Sequence, residues 1–106
     1  MRRIMVRYTV KADRVAENEA LVRAVYEELD RTRPEGLRYA TFRLEDGVSF
    51  VHVASVETHD GRNPLSQVAA FARFQDHIRD RVVGDPIVSG LDEIGAYRML
   101  GEGGGP

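Results

Sequence analysis

No cysteine occurs in the 106 residues, which excludes disulfides, thiolate metal sites and cysteine nucleophiles. Tryptophan is absent as well. No apolar run approaches the roughly 20 residues that cross a bilayer, so no membrane partner is expected. Neither sign of charge dominates: 15 basic and 17 acidic side chains leave a formal net charge of -2. Without a Lys/Arg cluster, nucleic acid is not an expected partner either. There is no G-x-G-x-x-G, no P-loop and no G-x-S-x-G. His77 has Asp76 and Asp80 near it but no second histidine at ligand spacing, so no metal site is expected. The acidic pairs Glu27-Glu28 and Glu45-Asp46 read as solvated charges. The opening MRRIMVRYTV has its apolar stretch broken by Arg7 and lacks a small-residue cleavage site, so it reads as a strand rather than a signal peptide. A cytoplasmic protein is the expectation.

What is present is strong periodicity. Ile4, Val6, Tyr8 and Val10 alternate with Met5, Arg7 and Thr9, the period of a strand. Leu21, Val22, Val25 and Leu29 recur at helical spacing, and a helix is predicted from about Arg14, capped by Asp13, to about Thr32. Pro34 and Gly36 end it. Leu37–Glu57 reads as a hairpin turning at Asp46-Gly47, which pairs Glu45 with Val48, Arg43 with Phe50, Thr41 with His52 and Tyr39 with Ala54. Asn63-Pro64 starts a second helix, whose buried stripe is Val68, Phe71, Phe74, Ile78 and Val82. Gly84-Asp85-Pro86 breaks it, and Ile87–Met99 reads as a last strand with bends at Gly90 and Gly95. One domain over residues 1–100 is expected, followed by a disordered Gly-rich tail over 101–106.

The order β-α-β-β-α-β predicts an α+β, ferredoxin-like fold: a four-stranded antiparallel sheet with two helices on one face. The more uniformly apolar set of strand residues is Ile4, Val6, Tyr8, Val10, Ala40, Phe42, Leu44, Val51 and Val53, and it is expected under the helices. The other face would carry Met5, Leu37, Tyr39, Phe50, Ala54 and Val56 among Arg7, Thr41, Arg43 and His52. Left bare it would be an apolar patch of roughly several hundred Å², more than a monomer usually exposes. A second copy of the same face is the expected cover, with Tyr39, Arg43, Phe50 and His52 at the interface of a homodimer.

The aromatic residues Tyr8, Tyr26, Phe42, Phe71 and Phe74 are candidates to wall a pocket for a flat organic ligand. His77 lies beside Ile78 at the margin of the buried stripe. Tyr8 and His77 are the candidate catalytic pair. His59 falls in a polar loop.

The strand and helix spacing, with the stretches RPEGLRYATFRLEDG, FVHVASVET and FARFQDHIRD, resembles the dimeric α/β-barrel superfamily over about residues 3–98. Within it the chain is similar to antibiotic-biosynthesis monooxygenases. The resemblance implies two sheets packed face to face across a dimer and, in each subunit, a pocket between helices and sheet. Some members oxidise polycyclic aromatic compounds with no cofactor, and others degrade haem. The haem degraders need an asparagine on the first strand and a tryptophan near the second helix. Ile4–Val10 has no asparagine and the chain has no tryptophan, so no cofactor is expected. The leading expectation is a cofactor-independent monooxygenase acting on a small aromatic compound. The alternative is a non-catalytic ligand-binding or stress-associated dimer using the same pocket.

Overall fold

The computed structural model describes residues 1–99, and the tail expected at 101–106 lies outside them. Strand β1 (Arg2–Val10) leads through a single 3-10 turn, Ala12–Arg14, into helix α1 (Val15–Thr32). Asp13 lies in that turn, and neither the turn nor α1 carries a side-chain cap. Strands β2 (Leu37–Arg43) and β3 (Ser49–Val56) follow, then a 3-10 turn at Pro64–Gln67 and helix α2 (Ala69–Gln75). A four-residue helix α3 (Ile78–Arg81) runs directly into β4 (Val82–Leu91). The sheet is antiparallel throughout, in the order β2-β3-β1-β4. Helices α1 and α2 pack on each other over one face of it, as expected of the ferredoxin-like plan. No helix among the described residues is long and apolar enough to cross a membrane.

Arg33 ends α1 in the left-handed region, φ 47°, returning its N–H to Leu29 O at 2.8 Å. Gly36, at φ 79°, then lets its carbonyl accept from Glu57 N at 2.7 Å. A Cβ on Gly36 would stand 2.6 Å from Thr58 Cγ2 and 3.1 Å from Thr58 N. Gly36→Ala is therefore expected to cost about 2 kcal/mol, read as a lower urea midpoint at unchanged slope.

The hairpin keeps the predicted register, Arg43 opposite Phe50 and Thr41 opposite His52, although its loop is the five residues 44–48 rather than two. Leu44 O accepts from Gly47 N at 3.0 Å, and Asp46 Oδ1 accepts from Val48 N and Ser49 N, which closes the loop without a Glu45–Val48 ladder pair.

The faces of the hairpin are the reverse of the expectation. β1 pairs with β3 so that Tyr8 lies opposite Phe50, Val6 opposite His52 and Ile4 opposite Ala54. Residues opposed across a ladder share a face, so Tyr39, Thr41, Phe50 and His52 join Tyr8 under the helices. Ala40, Phe42, Val51 and Val53 instead form the open face with Met5 and Ile87. Phe42 is 51% exposed there and Ile87 60%.

The second helix is shorter than its apolar stripe suggested. His77 takes a left-handed conformation, φ 58°, between α2 and α3. The carbonyls released at the end of α2 are taken by the Arg81 guanidinium, which donates to Phe74 O at 2.6 Å and Asp76 O at 3.4 Å. At the other end, the Glu28 carboxylate accepts from Ala69 N at 3.1 Å and Ala70 N at 2.8 Å. These bonds hold its pKa below the usual carboxylate range, so Glu28 is a helix cap rather than a solvated charge. The last strand begins at Val82, not Ile87. Gly84, at φ 74°, sits in a bulge where Thr9 faces Val83 and Arg7 faces Ile87, while Gly90 pairs regularly with Ile4.

Candidate functional site

Between α2 and the sheet lies a cavity of about 330 Å³. Phe71 and Phe74 of α2 roof it, Ile4 and Val6 of β1 contribute apolar floor, and Leu65 and Ile78 close its sides. Its polar side chains are Tyr8, Tyr39 and His52 on the sheet and Asn63 and Gln75 opposite; among the described residues no Asp, Glu, Lys or Arg lines it. Asn63 is partly committed elsewhere, since its Oδ1 accepts from Leu65 N at 3.0 Å as the cap of the 3-10 turn.

Tyr8 and His52 are brought together because β1 and β3 are neighbours in register. The Tyr8 ring stacks on Phe50 with centroids 5.6 Å apart, and His52 packs 5.3 Å from Phe74. The Tyr8 hydroxyl is 2.7 Å from His52 Nε2. His52 Nδ1 is 2.6 Å from the Tyr39 hydroxyl and 3.2 Å from Thr41 Oγ1. Behind Tyr8, Asn18 Nδ2 donates to its oxygen at 3.0 Å, and Asn18 Oδ1 accepts from Arg81 Nε at 3.2 Å. Asn18 is fully buried and Arg81 is 2% exposed.

The order of donors follows from the ends of this chain. Arg81 can only donate, which makes Asn18 Oδ1 the acceptor and its amide N–H the donor to Tyr8. With an N–H occupying its oxygen, Tyr8 directs its own proton to His52 Nε2. That assigns the imidazole proton to Nδ1, which donates towards Tyr39 and Thr41.

Burial lowers the His52 pKa to about 4, so the ring is a neutral base at pH 7. Burial likewise pushes Tyr8 up to about 12 against the opposing hydrogen bond from Asn18 and the Arg81 charge. Burial also raises Tyr39, and it takes Tyr26 to about 12. Arg81 forms no salt bridge with a carboxylate among the described residues. Its guanidinium sits over the Phe74 ring, 5.4 Å from the centroid. The buried Arg81 cation, which feels the Glu17 carboxylate without a contact ion pair to it, favours negative charge on that side of the cavity.

Several expected positions need correction. His77 is not beside Tyr8: its side chain is 77% exposed, 3.5 Å from the Asp76 carboxylate and 3.8 Å from that of Asp80. The left-handed turn at His77 sends it outward while its neighbours Gln75 and Ile78 line the cavity. Phe42 is on the far side of the sheet and walls nothing here. Tyr26 stands one layer behind, stacked on Tyr39 at 5.4 Å and bonded to Thr41 Oγ1 at 2.7 Å. Tyr39 and His52, expected at a dimer interface, line the cavity instead, and Phe50 lies in the core beneath Tyr8. Arg43 is on the helix side at the edge, paired with Glu19 of α1. Phe71 and Phe74 are pocket walls as expected.

Asn18 and Arg81 carry parts of the site that the sequence reading did not single out. Their signal was there: Asn18 occupies the same stripe as Val22, Val25 and Leu29, and Arg81 sits between Ile78 and Val82. A polar side chain at a buried position of an apolar stripe needs a partner.

No family model matches the chain, and no curated protein matches its sequence. Solved structures do share its fold. One described as an antibiotic biosynthesis monooxygenase superimposes with a TM-score of 0.68 at 19% identity, covering 90% of this chain and 100% of that one. SnoaB, a cofactor-independent oxygenase from Streptomyces nogalater, gives 0.65 at 18%, covering 92% and 97%. NE2512, a protein of unknown function from Nitrosomonas europaea, gives 0.70 at 12%, covering 94% and 95%. At these identities the likeness establishes the ferredoxin-like fold.

Proposed function

We propose that the cavity is an active site in which a small hydroxylated aromatic compound is oxidised by molecular oxygen without a resident cofactor. The carrying observation is a buried, neutral His52 bonded to Tyr8 on the floor of an apolar cavity free of charged side chains. The aromatic roof of Phe71 and Phe74 suits a flat ligand, and the uncharged lining suits a neutral one. A ligand hydroxyl against Tyr8 loses its proton to the tyrosine oxygen as Tyr8 passes its own to His52 Nε2. Asn18 holds the Tyr8 oxygen in place, and Arg81 offsets the developing negative charge. The electron-rich anion then reduces oxygen. For a ring methylene activated by the phenol, the balance is R₂CH₂ + O₂ → R₂C=O + H₂O. The carbon supplies all the electrons, one oxygen atom stays on carbon and the other leaves as water. SnoaB, described as a cofactor-independent oxygenase, supports this reading through the shared fold. The test is oxygen uptake with anthrone-like or quinol substrates and stoichiometric ketone or quinone by mass spectrometry. Tight binding of the same compounds without oxygen uptake would instead favour a ligand-binding role, for which the fully bonded His52 nitrogens are the supporting observation.

The functional unit in this reading is a homodimer. Two helices cover one side of the sheet, and the other side presents Met5, Ala40, Phe42, Val51, Val53 and Ile87. A second copy of this face is the simplest self-complementary cover. Light scattering should give twice the chain mass at micromolar concentration, and Phe42→Glu should halve it. A monomeric wild type overturns the assembly.

A further inference from the structure

We propose that Thr41 and Tyr26 carry the proton taken up at His52 out to solvent on the α1 side, by an exit separate from the cavity. The proposal rests on the reading of His52 as the base for a phenolic ligand. Thr41 Oγ1 is 3.2 Å from His52 Nδ1 and 2.7 Å from the Tyr26 hydroxyl. Tyr26 and Thr41 in turn line a second depression, about 240 Å³, with Glu19, Arg23 and Arg43. None of these five residues lines the main cavity. The hydrogen bonds thus connect two surfaces that share no lining residue: the ligand's side through Tyr8, and a charged, water-facing side through Tyr26.

The protons can all shift in one direction along this line. The ligand O–H bond breaks and its proton joins the Tyr8 oxygen, while the Tyr8 proton joins Nε2. The Nδ1 proton passes to Thr41 Oγ1, the Thr41 proton to the Tyr26 oxygen, and the Tyr26 proton to water. The imidazole changes tautomer without holding a charge. When oxygen is reduced, one proton returns along the same path and the original tautomer is restored, so protons balance over the cycle.

The surroundings of His52 explain why it would relay a proton rather than keep it. The groups facing it are Tyr8 from β1, Tyr39 and Thr41 from β2, and Phe74 from α2, with Asn18 and Tyr26 of α1 one bond further out. None is a carboxylate, and the nearest charge reached through the bonds, Arg81, is positive. Burial opposes the imidazolium in the same sense. The Tyr39 hydroxyl also meets Nδ1, at 2.6 Å, and its ring lines both the cavity and a surface depression shared with Tyr26. Tyr39→Phe, which leaves the Thr41–Tyr26 line intact, should therefore leave the release rate near wild type.

The test uses 4-nitrophenol as the probe, because its ionisation is visible as phenolate absorbance and needs no turnover. Stopped-flow mixing in weak buffer, with a pH-indicator dye, follows phenolate formation and proton release together. In the wild type both should rise at one rate. Thr41→Val and Tyr26→Phe should each slow the release about tenfold or more at unchanged equilibrium affinity. Thr41→Ser should restore it, and the double variant should be no slower than Thr41→Val alone. Wild-type release rates in both variants, with ionisation abolished in His52→Gln, would overturn the relay and leave the base assignment standing. Weaker binding in place of slower release would make Thr41 and Tyr26 structural and also overturn it. Unchanged ionisation in His52→Gln, or no ionisation by the wild type, would remove the base and the relay with it.

Discussion

His52→Gln should lower oxygen uptake by roughly two to four orders of magnitude, the usual worth of a positioned general base. Glutamine retains polar atoms that can meet Tyr8 and Tyr39, so the variant removes basicity more than it removes structure. Its far-UV spectrum and ligand affinity should therefore stay near wild type while kcat falls. Tyr8→Phe should show a comparable loss, because Tyr8 carries the hydroxyl bonded to Nε2. Combining the two should cost little more than either alone, since both act on one proton. Arg81→Met gives a graded comparison: it keeps bulk over Phe74 but withdraws the buried positive charge, the bond to Asn18 and the bonds to Phe74 O and Asp76 O, so its far-UV spectrum must be checked against wild type. A loss in kcat for Arg81→Met at retained affinity would place the charge behind Tyr8 in the reaction. A loss of less than tenfold in His52→Gln would rule out His52 as the base.

Much of this site was written in the chain, though on the wrong side of the sheet. The period of β1 and the hairpin register are local signals, and both were met in the structure, whereas Asn63-Pro64 starts a 3-10 turn and α2 begins only at Ala69. The choice of face was not local. Both faces of Leu37–Glu57 hold large apolar side chains, so counting them could not decide which one the helices cover. The decision comes from β1, whose pairing with β3 puts Tyr8 opposite Phe50. That register joins residues more than 40 positions apart, and a shift of one residue would have reversed it. The polar content of the chosen face now has a reason. Tyr39, Thr41 and His52 look like poor core residues singly, but they satisfy one another and Tyr8 once brought together. The break at His77 was hidden for a related reason: no glycine or proline marks it, and its stabilising partner, Arg81, lies four residues downstream.

The same burial that makes His52 a neutral base should make the fold sensitive to mild acid. Its pKa falls to about 4 in the folded chain, against about 6.5 for an exposed histidine. Between those values the unfolded chain binds a proton that the folded chain refuses, so stability rises with pH across this window. The contribution is complete above about pH 6.5 and is lost as pH falls towards 4, amounting to roughly 3 kcal/mol. Four carboxylates are shifted downward as well and lead to the same sense of dependence. Glu17, Glu28, Asp46 and Glu57 are each held below their usual range by hydrogen bonds, so their contributions are lost only at more acid pH. The interval from about pH 6.5 to 4.5 therefore belongs chiefly to His52. Urea unfolding across that interval should show a falling midpoint, measured in a His59→Gln, His77→Gln background so that His52 is the single histidine. Adding His52→Gln should flatten the profile there and leave the steeper loss below pH 4.5 intact. An equally steep fall with and without His52 would mean that the imidazole is already solvated in the folded chain. It would then be free to hold a proton at pH 5, and the dry, neutral base on which the site depends would not exist.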